Sequence, residues 1–199
     1  MLTQVRPALV LLIALTAITG LIYPLVMTPI TGFLFPFQAQ GSLVTDSSGK
    51  VVGSALIGQN FTTDKYFHGR PSATTGTDAN GNSIAQPYNA VNSMGSNLGP
   101  TSKTLSDRVK ASYDTLKAEN PNMPVPIDLV TTSGSGLDPD ISPDAALFQV
   151  PAVAKARDLT EQQVNDLVQK HIEGRFLGFI GEPHVNVLSL NLALDQLGK

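Results

Sequence analysis

Asp138, Asp140 and Asp144 place three carboxylates within seven residues. Carboxylates at that density gather cations when their side chains converge, and cap turns and helix starts when they do not. Just before them, Ser133-Gly134-Ser135-Gly136 offers a run of small residues whose backbone N–H groups suit a phosphate. No Lys-Ser or Lys-Thr follows it, so the phosphate-loop pattern is incomplete. Asp78, Asn80, Gly81 and Asn82 resemble the opening of a calcium loop. Gly81 does not fall where the sharp turn needs it, and Asn89 stands where a bidentate Glu belongs. His68, His171 and His184 are too far apart in sequence for a short metal-ligand pair, and with no Cys there is no thiolate to complete one. Neither a Gly-x-Ser-x-Gly elbow nor the phosphorylation motif of a P-type pump occurs. The expectation is a chain with no catalytic residues and no metal site of its own.

The elements that must position these residues begin with an apolar run. From Ala8 to Phe37 no residue is charged. Ala8–Met27 makes about 30 Å of helix at about 1.5 Å per residue, the thickness of a hydrocarbon core. Pro7 suits the first turn, and Tyr23 beside Pro24 suits an interface or a kink. Arg6 precedes the run and the next cation is Lys50. The positive-inside bias therefore puts Met1 in the cytoplasm and the bulk of the chain outside it. A cleaved signal peptide is the competing reading, with small residues at Ala17 and Gly20. The apolar run continues well past them, which favours a retained helix.

The expected organisation is a cytoplasmic stub over 1–7, a transmembrane helix over 8–28, a linker over 29–41 and one extracytoplasmic α+β domain over 42–199. That domain holds no Cys, so no disulfide supports it. The chain carries 13 Lys and Arg against 16 Asp and Glu, a balance that disfavours nucleic acid.

Within the domain, Leu43–Thr45 and Val51–Ile57 flank Asp46-Ser-Ser-Gly49 and predict a hairpin. Residues 69–100 are rich in Gly, Ser, Thr and Asn and predict a long loop pinned by Tyr88 and Leu98. Leu105, Val109, Ser112 and Leu116 fall on one helical stripe, capped by Thr101 or Ser102. Ile127–Thr131 reads as a strand. Ser142-Pro143 opens a short helix to Val150, with another turn over Val153–Arg157. Thr160 and Gln163 match a capping box before Val164, Leu167, Val168, His171 and Ile172. Phe176–Ile180 reads as extended. Val185–Leu197 is open to two readings: Leu188, Leu190, Leu192 and Leu194 alternate as in a strand, while the Leu and Ala content and an Asn186 cap favour a helix.

Several strings together resemble the C subunit family of the bacterial Kdp potassium-transporting P-type ATPase. They are Thr19-Gly-Leu-Ile-Tyr-Pro24, Leu56-Ile-Gly-Gln59, Tyr66-Phe-His-Gly-Arg-Pro-Ser72, and Tyr88-Asn89 with Gly95-Ser-Asn-Leu-Gly-Pro100. Asp128 to Ser142, His171-Ile-Glu-Gly-Arg175, Gly181-Glu-Pro183, Val185-Asn-Val-Leu188 and Asn191-Leu-Ala-Leu-Asp195 complete the set. They occur in the family's order across nearly the whole chain. Pro151 departs from it, where a polar or basic residue is expected.

The resemblance implies an accessory subunit of an ATP-driven, high-affinity potassium uptake complex in the bacterial inner membrane. It implies three partners: a potassium-channel-like subunit, a P-type ATPase subunit and a small single-span subunit. It also implies a role in assembly, and a family proposal of a catalytic chaperone that raises ATP affinity. Gln149 best matches the Gln proposed to touch nucleotide, so ATP is a possible cofactor only through the complex. A freestanding anchored ligand-binding domain, using the 69–100 loop, is the alternative.

Overall fold

The computed structural model describes residues 2–46 and 48–197. Met1, the expected cytoplasmic end, and Ser47, in the expected Asp46–Gly49 turn, lie outside them. The chain forms two compact units, Met1–Leu43 and Val44–Lys199.

The first unit is built on one long helix, α1 (Val5–Leu34). It begins before and ends after the expected 8–28 span, so residues 29–34 of the expected linker are helical. Three prolines sit within it, Pro7 in its first turn and Pro24 and Pro29 further along. Pro24 lacks an N–H and its ring crowds the carbonyl four residues back, so the i→i−4 ladder cannot pass unchanged. A wider π-type turn over Ile18–Ile22 takes up the mismatch, with the Tyr23 N–H donating to Ile18 O. Pro29 is also accommodated inside the helix. The Thr19 hydroxyl donates to Leu15 O at 2.7 Å and the Thr31 hydroxyl to Met27 O at 2.9 Å. Both polar groups are thus satisfied within the helix, as a lipid environment demands. Thirty residues give about 45 Å, more than one hydrocarbon core. A short helix, α2 (Pro36–Ala39), follows.

The second unit is mixed α and β. β1 (Leu43–Thr45) pairs with β2 (Val51–Ser54), the hairpin expected from the sequence. β3 (Thr75–Thr77) and β4 (Ser83–Ala85) form an antiparallel hairpin inside the stretch expected to be loop, with Gly76 opposite Ile84. Asp78 closes its turn: its Oδ1 accepts from the N–H groups of Asn80 and Asn82, each at 2.8 Å. The calcium-like residues therefore satisfy one another.

α3 (Lys103–Glu119) is capped by Ser102, as expected. Ile127–Leu129 is a 3-10 turn and not the expected strand. The Thr131 N–H and hydroxyl both donate to Ile127 O, and Leu129 and Val130 are both buried, which alternation in a strand would forbid. β5 (Asp140–Ile141) leads into α4 (Pro143–Ala156). That helix runs unbroken through Pro151, where a break was expected. A proline inside a helix costs about 3 kcal/mol, but Phe148 and Val150 before it and Val153 and Ala154 after it are all buried. Keeping one helix keeps that whole face in the core.

α5 (Glu161–Lys170) carries the expected capping box between Thr160 and Gln163, and its Val164 and Val168 are fully buried. Residues 176–180 make a tight turn and not an extended segment, because Leu177 and Gly178 both take positive φ. β6 (Val185–Asn186) pairs antiparallel with β5, and α6 (Val187–Leu197) follows as the helix expected. The Ser189 N–H donates to Asn186 Oδ1 at 3.0 Å, the expected cap. The core gathers Phe67, Val153, Val164, Val168, Val185, Leu190 and Leu194.

Candidate functional site

Within the second unit, several of the family-like strings come together around two features. The first is the extended segment Tyr66–Ser72, held between helices α4 and α6. Asn191 on α6 is buried, and its amide grips Phe67: Phe67 N–H donates to Asn191 Oδ1 at 2.8 Å, and Asn191 Nδ2 donates to Phe67 O at 2.9 Å. Gln149 on α4 does the same to the next residue. His68 N–H donates to Gln149 Oε1 at 2.8 Å, and Gln149 Nε2 donates to His68 O at 3.1 Å and to Ala145 O at 3.1 Å. Consecutive residues of an extended chain point their polar groups in opposite directions. Two amide side chains from two helices therefore replace the two neighbouring strands a sheet would supply. Gln149 was singled out from sequence and Asn191 was not. Asn191 entered only as the first residue of a family-like string and as a polar residue on the apolar face of α6.

Arg157, 13 % exposed, fastens the start of this segment. Its Nε donates to Lys65 O at 2.6 Å, an Nη2 donates to Asp195 Oδ1 at 2.7 Å, and its guanidinium lies 4.7 Å from the Tyr66 ring centroid. The Tyr66 hydroxyl reaches Asp195 Oδ2 at 3.2 Å.

The second feature is the polar knot around Tyr88. Its hydroxyl donates to Arg70 O at 2.7 Å. Burial, reinforced by the Asp138 charge and opposed by Arg70, pushes the phenol up to about 12. Arg70 Nη1 lies 3.2 Å from Asp138 Oδ2. The Tyr88 ring packs where Gly58 and Gly69 carry no side chain. A Cβ on Gly58 would stand 2.5 Å from both the ring and Asp138 O. Ser72 Oγ donates to Gly136 O at 2.7 Å and accepts the Tyr88 N–H at 3.0 Å, while Thr74 Oγ1 donates to Gln86 O at 2.6 Å. The Ser133–Gly136 run is absorbed here: Ser133 Oγ accepts the Gly136 N–H, and Ser135 O accepts the Met94 N–H. The Gly136 N–H, one of the donors a phosphate would draw on, is thus taken up inside the domain. Tyr88 pins the 69–100 stretch as expected, and Leu98 is half-buried.

The three aspartates diverge. Asp138 faces Arg70, Asp140 accepts from Asn186 Nδ2 at 3.0 Å, and Asp144 is exposed in the first turn of α4. Burial raises the Asp140 carboxyl against the Asn186 bond and the nearby His184, with Asp138 and Glu173 adding to the rise. The three histidines also stand apart, against Thr63 O, Leu167 O and Glu182 O. Among the described residues no three His, Cys, Asp or Glu side chains cluster as metal ligands do. A cleft of about 400 Å³ is lined by Thr75, Thr77, Gln86, Asn89 and Asn92 among others, all neutral. It offers hydroxyl and amide contacts and no nucleophile–base pair.

Comparison with known proteins gives one answer. Residues 5–196 match the family model described as KdpC, K+-transporting ATPase, c chain. A Potassium-transporting ATPase KdpC subunit of Bradyrhizobium diazoefficiens is 66% identical over 198 residues, 98% of each chain. A protein of the same name from Rhodopseudomonas palustris is 65% identical over 197 residues, again 98% of each. One from Methylorubrum extorquens is 63% identical over 201 residues and covers both chains fully.

Proposed function

The chain belongs to the KdpC family of K+-transporting ATPase c chains, and from that premise we propose that it is a non-catalytic subunit that assembles an ATP-driven potassium uptake complex. The observation that carries this is the extent of the match, which takes in the membrane helix and the domain together. Its partners are a channel-like potassium-binding subunit, a P-type ATPase subunit and a small single-span subunit. The helix lies in the bacterial inner membrane with its amino terminus in the cytoplasm, in line with Arg6 before it and no further cation until Lys50. The domain then sits outside, near the ion entrance. Of the 13 cations only Arg6 precedes the domain, which keeps all 16 acidic side chains. That excess attracts K+ weakly, within a screening length of about 10 Å.

Influence on ATP affinity, which the resemblance implies, passes through assembly on this reading. Both ends of the Gln149 amide are engaged by His68, so a nucleotide drawing on them would compete with those two bonds.

Purification of the full chain from its native membrane in mild detergent tests the proposal. Two larger membrane subunits should accompany it, and deletion should abolish growth only at very low potassium. A stable monomer with a ligand-dependent thermal shift, together with normal growth at low potassium, would establish the freestanding binding domain instead. Protease added to right-side-out spheroplasts should digest the domain and leave it intact in inverted vesicles.

A further inference from the structure

Between α5 and α6 the chain makes a finger whose base is charged and whose tip is bare hydrocarbon. Glu173 and His184 exchange backbone hydrogen bonds at 2.8 and 3.0 Å, and Phe176 and Ile180 do so again at 2.9 and 3.0 Å. The base carries the Arg175–Glu182 ion pair and Glu173 beside His184. Beyond it, Phe176, Leu177, Phe179 and Ile180 are 69, 69, 71 and 50 % exposed. Four large apolar side chains in five residues, held in a hydrogen-bonded hairpin, are not scattered surface residues. Together they expose on the order of 400 Å² of apolar surface, a size typical of functional patches.

The backbone reinforces the point. Leu177 has φ +53° and Gly178 φ +82°. Glycine takes that conformation freely, whereas a leucine there is strained. A polar residue such as Asn would relieve both the strain and the exposure. The turn instead presents leucine to water.

We propose that this finger is the anchor by which the domain docks on a membrane-embedded subunit of its complex, its tip entering an apolar cleft with a cationic or hydrogen-bond-donating rim. The proposal rests on the subunit reading above. Charge chooses the occupant. Arg175 offsets Glu182, which leaves Glu173, 68 % exposed beside the uncharged form of His184, as the excess charge of the base, so the complementary rim is positive. A lipid surface is a poorer match, because interfacial anchors carry Lys and Arg beside their apolar face and this finger has one Arg. A second copy is poorer still, since two tips meeting would bring like-charged bases together. The area also fits: a standard interface buries about 800 Å² on each side. The tip alone supplies about half of that, as a central hot spot should.

The test uses the complete complex with Phe179→Asp and, separately, p-benzoylphenylalanine in place of Phe179. The side chain is exposed, so Phe179→Asp should leave the melting temperature of the isolated full chain unchanged. It should lower recovery of the larger subunits in mild detergent at least tenfold, while Phe179→Leu restores most of it. Illumination should cross-link position 179 to a membrane subunit of the complex, identified by mass spectrometry. Full recovery with Phe179→Asp, or cross-links to lipid alone or to a second copy of this chain, would overturn the proposal. If the unmodified chain recovers no ATPase subunit at all, the subunit reading itself fails, and the finger proposal with it. If the unmodified chain recovers them and Phe179→Asp does too, only the finger proposal fails.

Discussion

Asn191 and Phe67 close a ring of two hydrogen bonds across 124 residues of sequence, the amide oxygen accepting from the Phe67 N–H and the amide nitrogen donating to the Phe67 carbonyl. Phe67 is 0 % exposed and Asn191 1 %. Both residues are shut off from bulk solvent, so among the described residues the Asn191 amide is the partner on which each Phe67 backbone group depends.

Asn191→Leu should therefore be among the most damaging single changes in the domain. It keeps the branched heavy-atom skeleton and removes the partners of both the Phe67 N–H and the Phe67 carbonyl. Two unsatisfied groups at about 1–3 kcal/mol each predict a loss of about 2–6 kcal/mol. Chemical denaturation of the full chain in detergent would measure it. A loss under about 1 kcal/mol would mean that the 66–72 segment is held elsewhere.

Gln149→Ala separates a structural role from a nucleotide role. Gln149 is only half-buried, and water can partly replace it, so the expected loss is about 1–2 kcal/mol. The KM for ATP of the assembled complex should be unchanged once equal amounts of complex are compared. A rise in KM with unchanged stability would return the residue to nucleotide contact.

How far the sequence reached depends on the range of the interaction. Local signals were legible: the Thr160–Gln163 capping box, the Ser102 and Ser142 caps and the apolar length of α1 are all set by residues within a few positions. Pro151 misled because a local rule was overruled by the burial of Phe148 and Val153 on either side. Leu129 and Val130 misled because a strand-like composition hid a turn whose two apolar side chains both face inward. The amide grip on Phe67 and His68 joins positions far apart, and no periodicity marks it. The finger tip was legible as apolar, but its exposure was not. Only the fold shows that Phe176 and Phe179 lie outside the core.

Arg157 makes three kinds of contact with little exposure, to Lys65 O, to Asp195 and to the Tyr66 ring. Arg157→Ala should cost about 1–3 kcal/mol, discounted because Asp195 is 42 % exposed. Arg157→Lys should recover less than half of that, since an ammonium cannot serve both the carbonyl and the carboxylate while stacking on the ring. Equal stability of the lysine variant and the parent would reduce the contact to simple charge.

Asp140 gives a pH effect of known sign. Its carboxyl is raised in the folded state, chiefly by burial. The folded protein therefore holds that proton more tightly than the unfolded chain. Its contribution to stability is complete below the ordinary aspartate range and is lost as pH rises through the raised value. Asp140→Asn keeps the oxygen that accepts from Asn186 and removes the titration. The variant should gain stability over the parent at pH 7 and lose that advantage near pH 3. An advantage that is the same at both pH values would assign the effect to something other than ionisation.

Tyr88 sets a second limit, at alkaline pH. The unfolded phenol ionises near pH 10, while the folded one is pushed up to about 12, first by burial and then by the Asp138 charge. Between those values the unfolded chain releases a proton that the native chain retains, so stability present below pH 10 falls as pH rises towards 12. Absorbance titration of the four tyrosines should show one that ionises last, or only on unfolding. Tyr88→Phe should remove that last phase. It should also cost about 1–2 kcal/mol at neutral pH, because the Arg70 carbonyl loses its 2.7 Å donor beside a ring that still fills the space over Gly58 and Gly69. If the latest phase survives in Tyr88→Phe, the buried phenol is another tyrosine, and the knot around Arg70 and Asp138 is more open to water than its hydrogen bonds imply.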